Sequence, residues 1–361
     1  MRWPHQGVRG TRCVIRMSAS RADRDADDWL LPPNRWAYAV AVADGTGALK
    51  HLLSLPARGH GIAIHPNQRI AAIFARRPGQ YIQLVDMHTG RRGTTVSASA
   101  GHHYYGHGVF SPDGQWLYVT EGISATSAGI IGVYRVEENV HHANSMPKGM
   151  PTLTKVNAWT GLGVGPHEII LADNNTLAVA VGGVQTQGRK PQNIATMQPA
   201  LVYVDRQTGE MKDRVTLPDH QLSIRHLSAS SNGQVVCGQQ YRGQNRTAQP
   251  LVYVHQRGQT PRALKANTTQ WQRFQHYIAS VACHDGYALA TSPRGNCYGI
   301  WHIDSGELVD LRPLIDVAGV SAQQGQWLLS TGTGKIVATQ VTGQQQSVQS
   351  GVMWDNHWNI I

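Results

Sequence analysis

Short apolar runs separated by turns bearing Gly, Asp, Asn and Pro recur along almost the whole chain, as in RIAAIFAR, WLYVTEG, TLAVAVGG and QVVCGQQY. Their length and their content of β-branched and aromatic residues predict strands rather than helices. Each run follows a turn, and each turn follows another short strand: RGHGIAIHPNQ at 58, YGHGVFSPDGQ at 105, GPHEIILADNN at 165 and IRHLSASSNGQ at 224. These four openings put His60, His107, His167 and His226 at one repeat position. A third strand ends in a tight turn, as in YIQLVDMHTG and LVYVDRQTGE, and a fourth leads out. Two further units, at 277 and 316, keep the plan but carry Ala279 and Ala318 at the histidine position. Units of roughly 40 to 60 residues with this order predict propeller blades.

Six units leave over VMWDNHWNII at the C-terminal side and WAYAVAVADGTGALKHLLSLPA at the N-terminal side. Together these supply strands for a seventh, and sharing one blade between first and last strands closes a ring and hides sheet edges. The expected fold is therefore all-β, a seven-bladed β-propeller closed by joining N- and C-terminal strands. It forms a single domain over 35–361. A pair of β-sandwiches would explain the strands but not the recurrent histidine or the split unit. Residues 1–34 are expected to be disordered: Arg and Asp alternate through RADRDADD before Pro32 and Pro33.

Composition agrees, with 38 glycines, few charges, and aromatics that are mainly Trp and Tyr. The net charge of +10 includes an arginine cluster in the first two dozen residues. No basic helix or aromatic-basic motif accompanies it, so a solvated surface is expected and no nucleic-acid partner. None of the four cysteines forms a C-x-x-C pair, which excludes a zinc knuckle of that type and a thioredoxin motif. No apolar run is long enough to span a membrane, and no secretory apolar region opens the chain. A monomer is expected.

In a propeller the first strand of each blade lines the central channel. The four histidines should then converge there with Glu168, a donor set suited to a transition metal such as Fe, Cu or Zn. The alternative is a wet channel lining in which they bond backbone and water. Arg58, Tyr105 and Arg225 neighbour them as ligand-contacting candidates. Arg189 and Lys190 lie in an insert over 183–200, either a lid or a plain surface loop. Arg294, in SPRG, is a candidate anion contact, whereas Asp113 in SPDG reads as turn chemistry. The chain has no H-E-x-x-H, G-x-S-x-G or P-loop motif. A non-enzymatic binding module is the favoured function. The alternative is a lactonase-like hydrolase or an oxidoreductase-associated enzyme with Glu168 or a histidine as general base.

The stretches RGHGIAIHP, FARRPGQY, YYGHGVFSPDGQWLYVTE, GVGPHEIIL, HQLSIRHLS, TSPRG and WDNH resemble a bacterial propeller family, domain of unknown function 1513. The resemblance runs from about residue 36 to the C-terminal side. It implies a periplasmic protein, exported by the twin-arginine route and associated with iron uptake. Its implied partners are imelysin-like and di-haem peroxidase-like proteins. It carries no catalytic residues over, and the N-terminal residues depart from it in lacking a twin-arginine signal with an apolar stretch.

Overall fold

The computed structural model describes residues 12–17, 38–44, 47–137, 150–187, 190–243, 248–323, 325–343 and 345–360. The chain is all-β with a propeller arrangement. Six four-stranded antiparallel blades each take their strands in chain order. Their inner strands are Gly59–Ile64, His102–Phe110, Pro166–Leu171, Leu222–Ala229, Ser280–His284 and Val317–Gln323. These are the six units that the repeat predicts, including the two without histidine.

A further four-stranded sheet has a different make-up. Its order is Leu49–Ser54, Tyr38–Ala43, Arg12–Met17, Trp354–Ile360, so it mixes strands from both ends of the described chain. The strand at Arg12–Met17 corrects the expectation of disorder there, while the rest of 1–34 lies outside the described residues. The physical reason is edge pairing. Arg12–Met17 bonds Tyr38–Ala43 on one side and Trp354–Ile360 on the other, and so covers two edges that would otherwise face each other unpaired.

Within a blade, burial follows strand position. The second and third strands are sandwiched between neighbouring blades and are buried on both faces, as in Ile70–Ala75, Tyr81–Asp86 and Thr176–Val181. That is why they read as continuous apolar runs rather than alternating ones. The outer strand of the first blade, Arg91–Ser97, is mostly exposed and polar. The hydrophobic clusters accordingly lie between blades. Phe74 and Leu84 of the first meet Phe110 and Val119 of the second, and Leu289 and Ile300 of the fifth meet Trp327 and Leu329 of the sixth. Val40 and Val42 of the mixed sheet pack on Ala71 and Ile73 of the first blade. On its other side Ala41, Trp354 and Trp358 pack on Leu328 and Ile336 of the sixth.

Turn chemistry explains the strand spacing. Asp86 Oδ1 accepts from the backbone N–H groups of His88 and Thr89, and Asp205 does the same for Gln207 and Thr208. Asp113 caps its own turn by accepting from Gln115 N, as expected of SPDG. One short helix, Thr268–Arg273, joins the fourth and fifth blades, started by an Asn267–Gln270 capping box. Its Trp271 stacks on Trp301 at 5.5 Å. No helix among the described residues is long and apolar enough to cross a membrane.

Candidate metal centre

On the first four blades the inner strand is bulged where its histidine stands. Register shifts fall between Gly59 and Ile62, Tyr104 and Gly108, Pro166 and Ile169, and Ile224 and His226. A bulge puts two residues opposite one and re-aims a side chain out of strict alternation. The fifth inner strand keeps regular register, the sixth is shifted between Val317 and Val320, and neither has a histidine at this place. Glycine lets the bulged strands crowd together. Gly106 has φ +102°, and a Cβ there would strike the His60 ring; a Cβ on Gly61 would strike the Gly106 carbonyl. This accounts for the G-H-G pattern around His60 and His107.

The four predicted histidines converge, and His357 from Trp354–Ile360 joins them. The His60 ring lies 4.8 Å from His107, 5.4 Å from His167 and 4.5 Å from His357, centroid to centroid. His107 and His357 are 4.6 Å apart, His167 and His226 5.0 Å, and His226 and His357 5.2 Å. Glu168 reaches in beside them: its Oε1 is 3.8 Å from His107 Nδ1 and its Oε2 3.4 Å from His226 Nδ1. The Leu227 N–H donates to Oε2 at 2.8 Å and fixes the carboxylate across the gap between third and fourth blades.

Two donor sets result, His60–His107–His357 and Glu168–His226–His357, each with one ligand atom per residue inside a 4.8 Å span. Tetrahedral zinc with nitrogens at about 2.05 Å would set them about 3.3 Å from one another, within that span. A cavity of about 470 Å³ opens beyond the cluster, with His107, Glu168 and His357 at its inner end. Its walls are the later residues of the inner strands, such as Ile62–Ile64 and Ile169–Leu171.

Burial governs the protonation of the group. Desolvation, with the neighbouring imidazoles and with Arg58 for His60 and Arg225 for His107 and His167, holds all three well below the usual histidine range. Burial brings His226 down to about 3 and His357 to about 4, and pushes Glu168 up to about 7. At neutral pH the imidazoles are therefore uncharged, the form that ligates metal. His60 Nδ1, His107 Nε2, His167 Nδ1, His357 Nε2 and both ring nitrogens of His226 are buried without a hydrogen-bond partner. Polar atoms left so in a protein interior are rare and costly.

A family model described as "Protein of unknown function (DUF1513)" matches residues 53–361, a span that holds all five histidines and all six blades. The chain belongs to the DUF1513 family. A search of the curated proteins finds no match.

The remaining predicted contacts of the DUF1513 chain divide. Arg58 does not point free into the channel; it forms a bidentate ion pair with Asp355, both bonds 2.9 Å. Tyr105 is buried and donates to the Ser127 carbonyl at 3.2 Å. Arg225 is 5 % exposed beside the histidines, and Arg294 is exposed, its guanidinium 4.4 Å over the Tyr277 ring. Arg189 lies outside the described residues. In the insert, Thr186–Gln187 pairs with Lys190–Pro191 in a minimal hairpin, and Lys190 is exposed. Cys237, Cys283 and Cys297 are free thiols. His357 and Asp355 were missed among the site residues. Their signal was the WDNH of the split unit, which supplies an inner-strand histidine once Trp354–Ile360 takes that place.

Proposed function

We propose that the DUF1513 chain is a seven-bladed propeller closed by the mixed sheet, and that it binds a transition-metal ion at the histidine cluster as a non-enzymatic module. Closure is supported by the packing of the mixed sheet on both the first and the sixth blade, by the Arg58–Asp355 pair, and by the bond from Asn359 Nδ2 to the Ile62 carbonyl at 2.7 Å. The observation that carries metal binding is the set of buried ring nitrogens without partners on five convergent, neutral histidines. Imidazole with one carboxylate suits Zn, Cu, Fe or Ni. We read this role as one of the cell envelope and of iron acquisition, with imelysin-like and di-haem peroxidase-like partners, on the family resemblance alone.

The test is elemental analysis of untagged protein, before and after chelation, followed by calorimetric titration with Zn²⁺, Cu²⁺ and Fe²⁺. One ion per chain is expected, lost in the His107→Ala/His357→Ala double variant while the circular dichroism is unchanged. Protein that arrives metal-free and takes up none of the three ions at a Kd under about 100 μM would sink this reading.

A second reading is favoured by one observation. Glu168 carries an ionisation raised to about 7 next to two histidines, a composition matching the two-His-one-carboxylate sets of redox and hydrolytic sites. Turnover of an ester, lactone or reducible substrate that disappears in Glu168→Gln would establish it.

A further inference from the structure

Arg225 precedes His226 on the inner strand of the fourth blade and is not among the residues that line the 470 Å³ cavity. It is more than nine-tenths buried, its Nε has no partner, and no described residue accepts a hydrogen bond from its guanidinium or forms an ion pair with it. Guanidinium is charged at any working pH, so its burial without an acceptor is among the most costly arrangements a protein can hold. The group lies against the third blade: a Cβ built on Gly182 would sit 3.0 Å from Arg225 Cζ.

More arginines meet it at the same end of the channel. Ser223 pairs with Gln240 and Leu222 with Tyr241 across the sheet, so Arg242, just past that strand, lies at the same end of the fourth blade as Arg225. Arg242 Nη2 donates to Gln240 Oε1 at 2.6 Å, leaving its buried Nε unpartnered. Gln240 pairs with Tyr277 in a backbone bridge, and the Arg294 guanidinium lies 4.4 Å over the Tyr277 ring. Neither Arg242 nor Arg294 forms an ion pair among the described residues. Arg77, held by the Thr186 hydroxyl at 2.8 Å, adds its field, and after burial it is Arg242 and Arg77 that depress the ionisation of Arg225. Arg225, Arg242 and Arg294, like charges gathered with no ion-pair partner among the described residues and with the buried Nε of the first two unused, describe a receptor for an anion.

We infer that Arg225, Arg242 and Arg294 bind a small multivalent oxyanion, a phosphate or a di- or tricarboxylate, on the side of the histidine cluster opposite the large cavity. The buried Arg225 grips the anion, Arg242 closes one side, and the exposed Arg294 on Tyr277 guards the entrance. This site does not depend on metal at the histidines.

The full chain is stripped of metal, freed of chelator by gel filtration into Tris chloride, and titrated calorimetrically with inorganic phosphate and, separately, citrate. At least one is expected to bind with a Kd below about 1 mM. A preference for phosphate assigns a tetrahedral oxyanion, and one for citrate a polycarboxylate. Arg242→Gln and Arg294→Gln should each weaken binding about tenfold, the loss of one charge-assisted contact. Arg294 is exposed, so its variant folds and its result stands even where Arg225→Gln fails to fold. No binding of either anion up to about 10 mM, or equal affinity in Arg294→Gln and Arg242→Gln, overturns the inference. Metal-free protein that binds anion but not metal keeps this site while ending the metal reading.

Discussion

The Arg58–Asp355 pair ties the strand that opens the first blade to Trp354–Ile360, and its strength can be measured. Asp355 has 3 % of its side chain exposed and Arg58 15 %, and the two share two hydrogen bonds of 2.9 Å. An exposed ion pair contributes well under 1 kcal/mol, because water and salt screen it. Screening is small here, and fork-to-fork geometry aligns both bonds. Removing one partner of a buried pair typically costs about 3–5 kcal/mol, since the other charge is left without compensation. Arg58 keeps some access to water, which argues for the lower end, about 3 kcal/mol. The perturbation is a double-mutant cycle of Arg58→Met, Asp355→Leu and the pair together, followed by urea denaturation monitored by tryptophan fluorescence. The double variant should be less destabilised than the sum of the singles by about 2 kcal/mol or more, because it removes both charges at once. Asp355 makes other interactions, which the cycle subtracts. A coupling under about 0.5 kcal/mol would refute the argument and class the pair with surface contacts.

Two further outcomes follow from other buried groups. Glu121, 1 % exposed in the second blade, accepts from Tyr134 Oη at 2.6 Å and Lys155 Nζ at 2.5 Å, so Glu121→Leu should lower stability by about 2–4 kcal/mol in urea melts. Glu121→Gln should recover part of it by keeping the bond to Tyr134. His103 is 5 % exposed, and burial, then the charge of Arg77, hold it at about 4. Its unfolded value is 6.5, so as pH falls below 6.5 the unfolded chain takes a proton that the folded one refuses, and stability drops. Between pH 7 and 5 this term is about 1–2 kcal/mol after discount for nearby solvent, and His103→Gln should flatten the pH profile of the urea midpoint by that much. An unchanged profile would remove His103 as the cause.

What the chain reveals of itself depends on the range of the interaction concerned. Strands, turns and the repeat are local, so the six blades and the alignment of His60, His107, His167 and His226 could be read directly. His357 belongs to a unit whose strands lie at opposite ends of the chain, and its histidine had no neighbour in sequence to align with. The strand at Arg12–Met17 was hidden for the same reason: a tract of alternating arginine and aspartate nearby suggests disorder, whereas edge pairing with distant strands orders it. The bulges left only glycine as a trace. Arg58 was read as a free contact because its counter-ion, Asp355, is 297 residues away. Arg242 lies just beyond a strand end, where no motif marks it, and only the ladder to Leu222 and Ser223 shows what it joins.

The distance between Arg58 and Asp355 also sets an order of events. A chain emerging from the ribosome presents His60, His107, His167 and His226 one after another, on strands whose neighbours do not yet exist. His357 arrives last, and the burial that keeps these imidazoles uncharged depends on blades still to be made. Small zinc modules take up their ion from a few neighbouring residues and fold around it. Here the order would be reversed: an ion bound at the cluster as proposed would meet a finished protein, and its loading would be an event of the mature molecule, open to control by compartment and by timing.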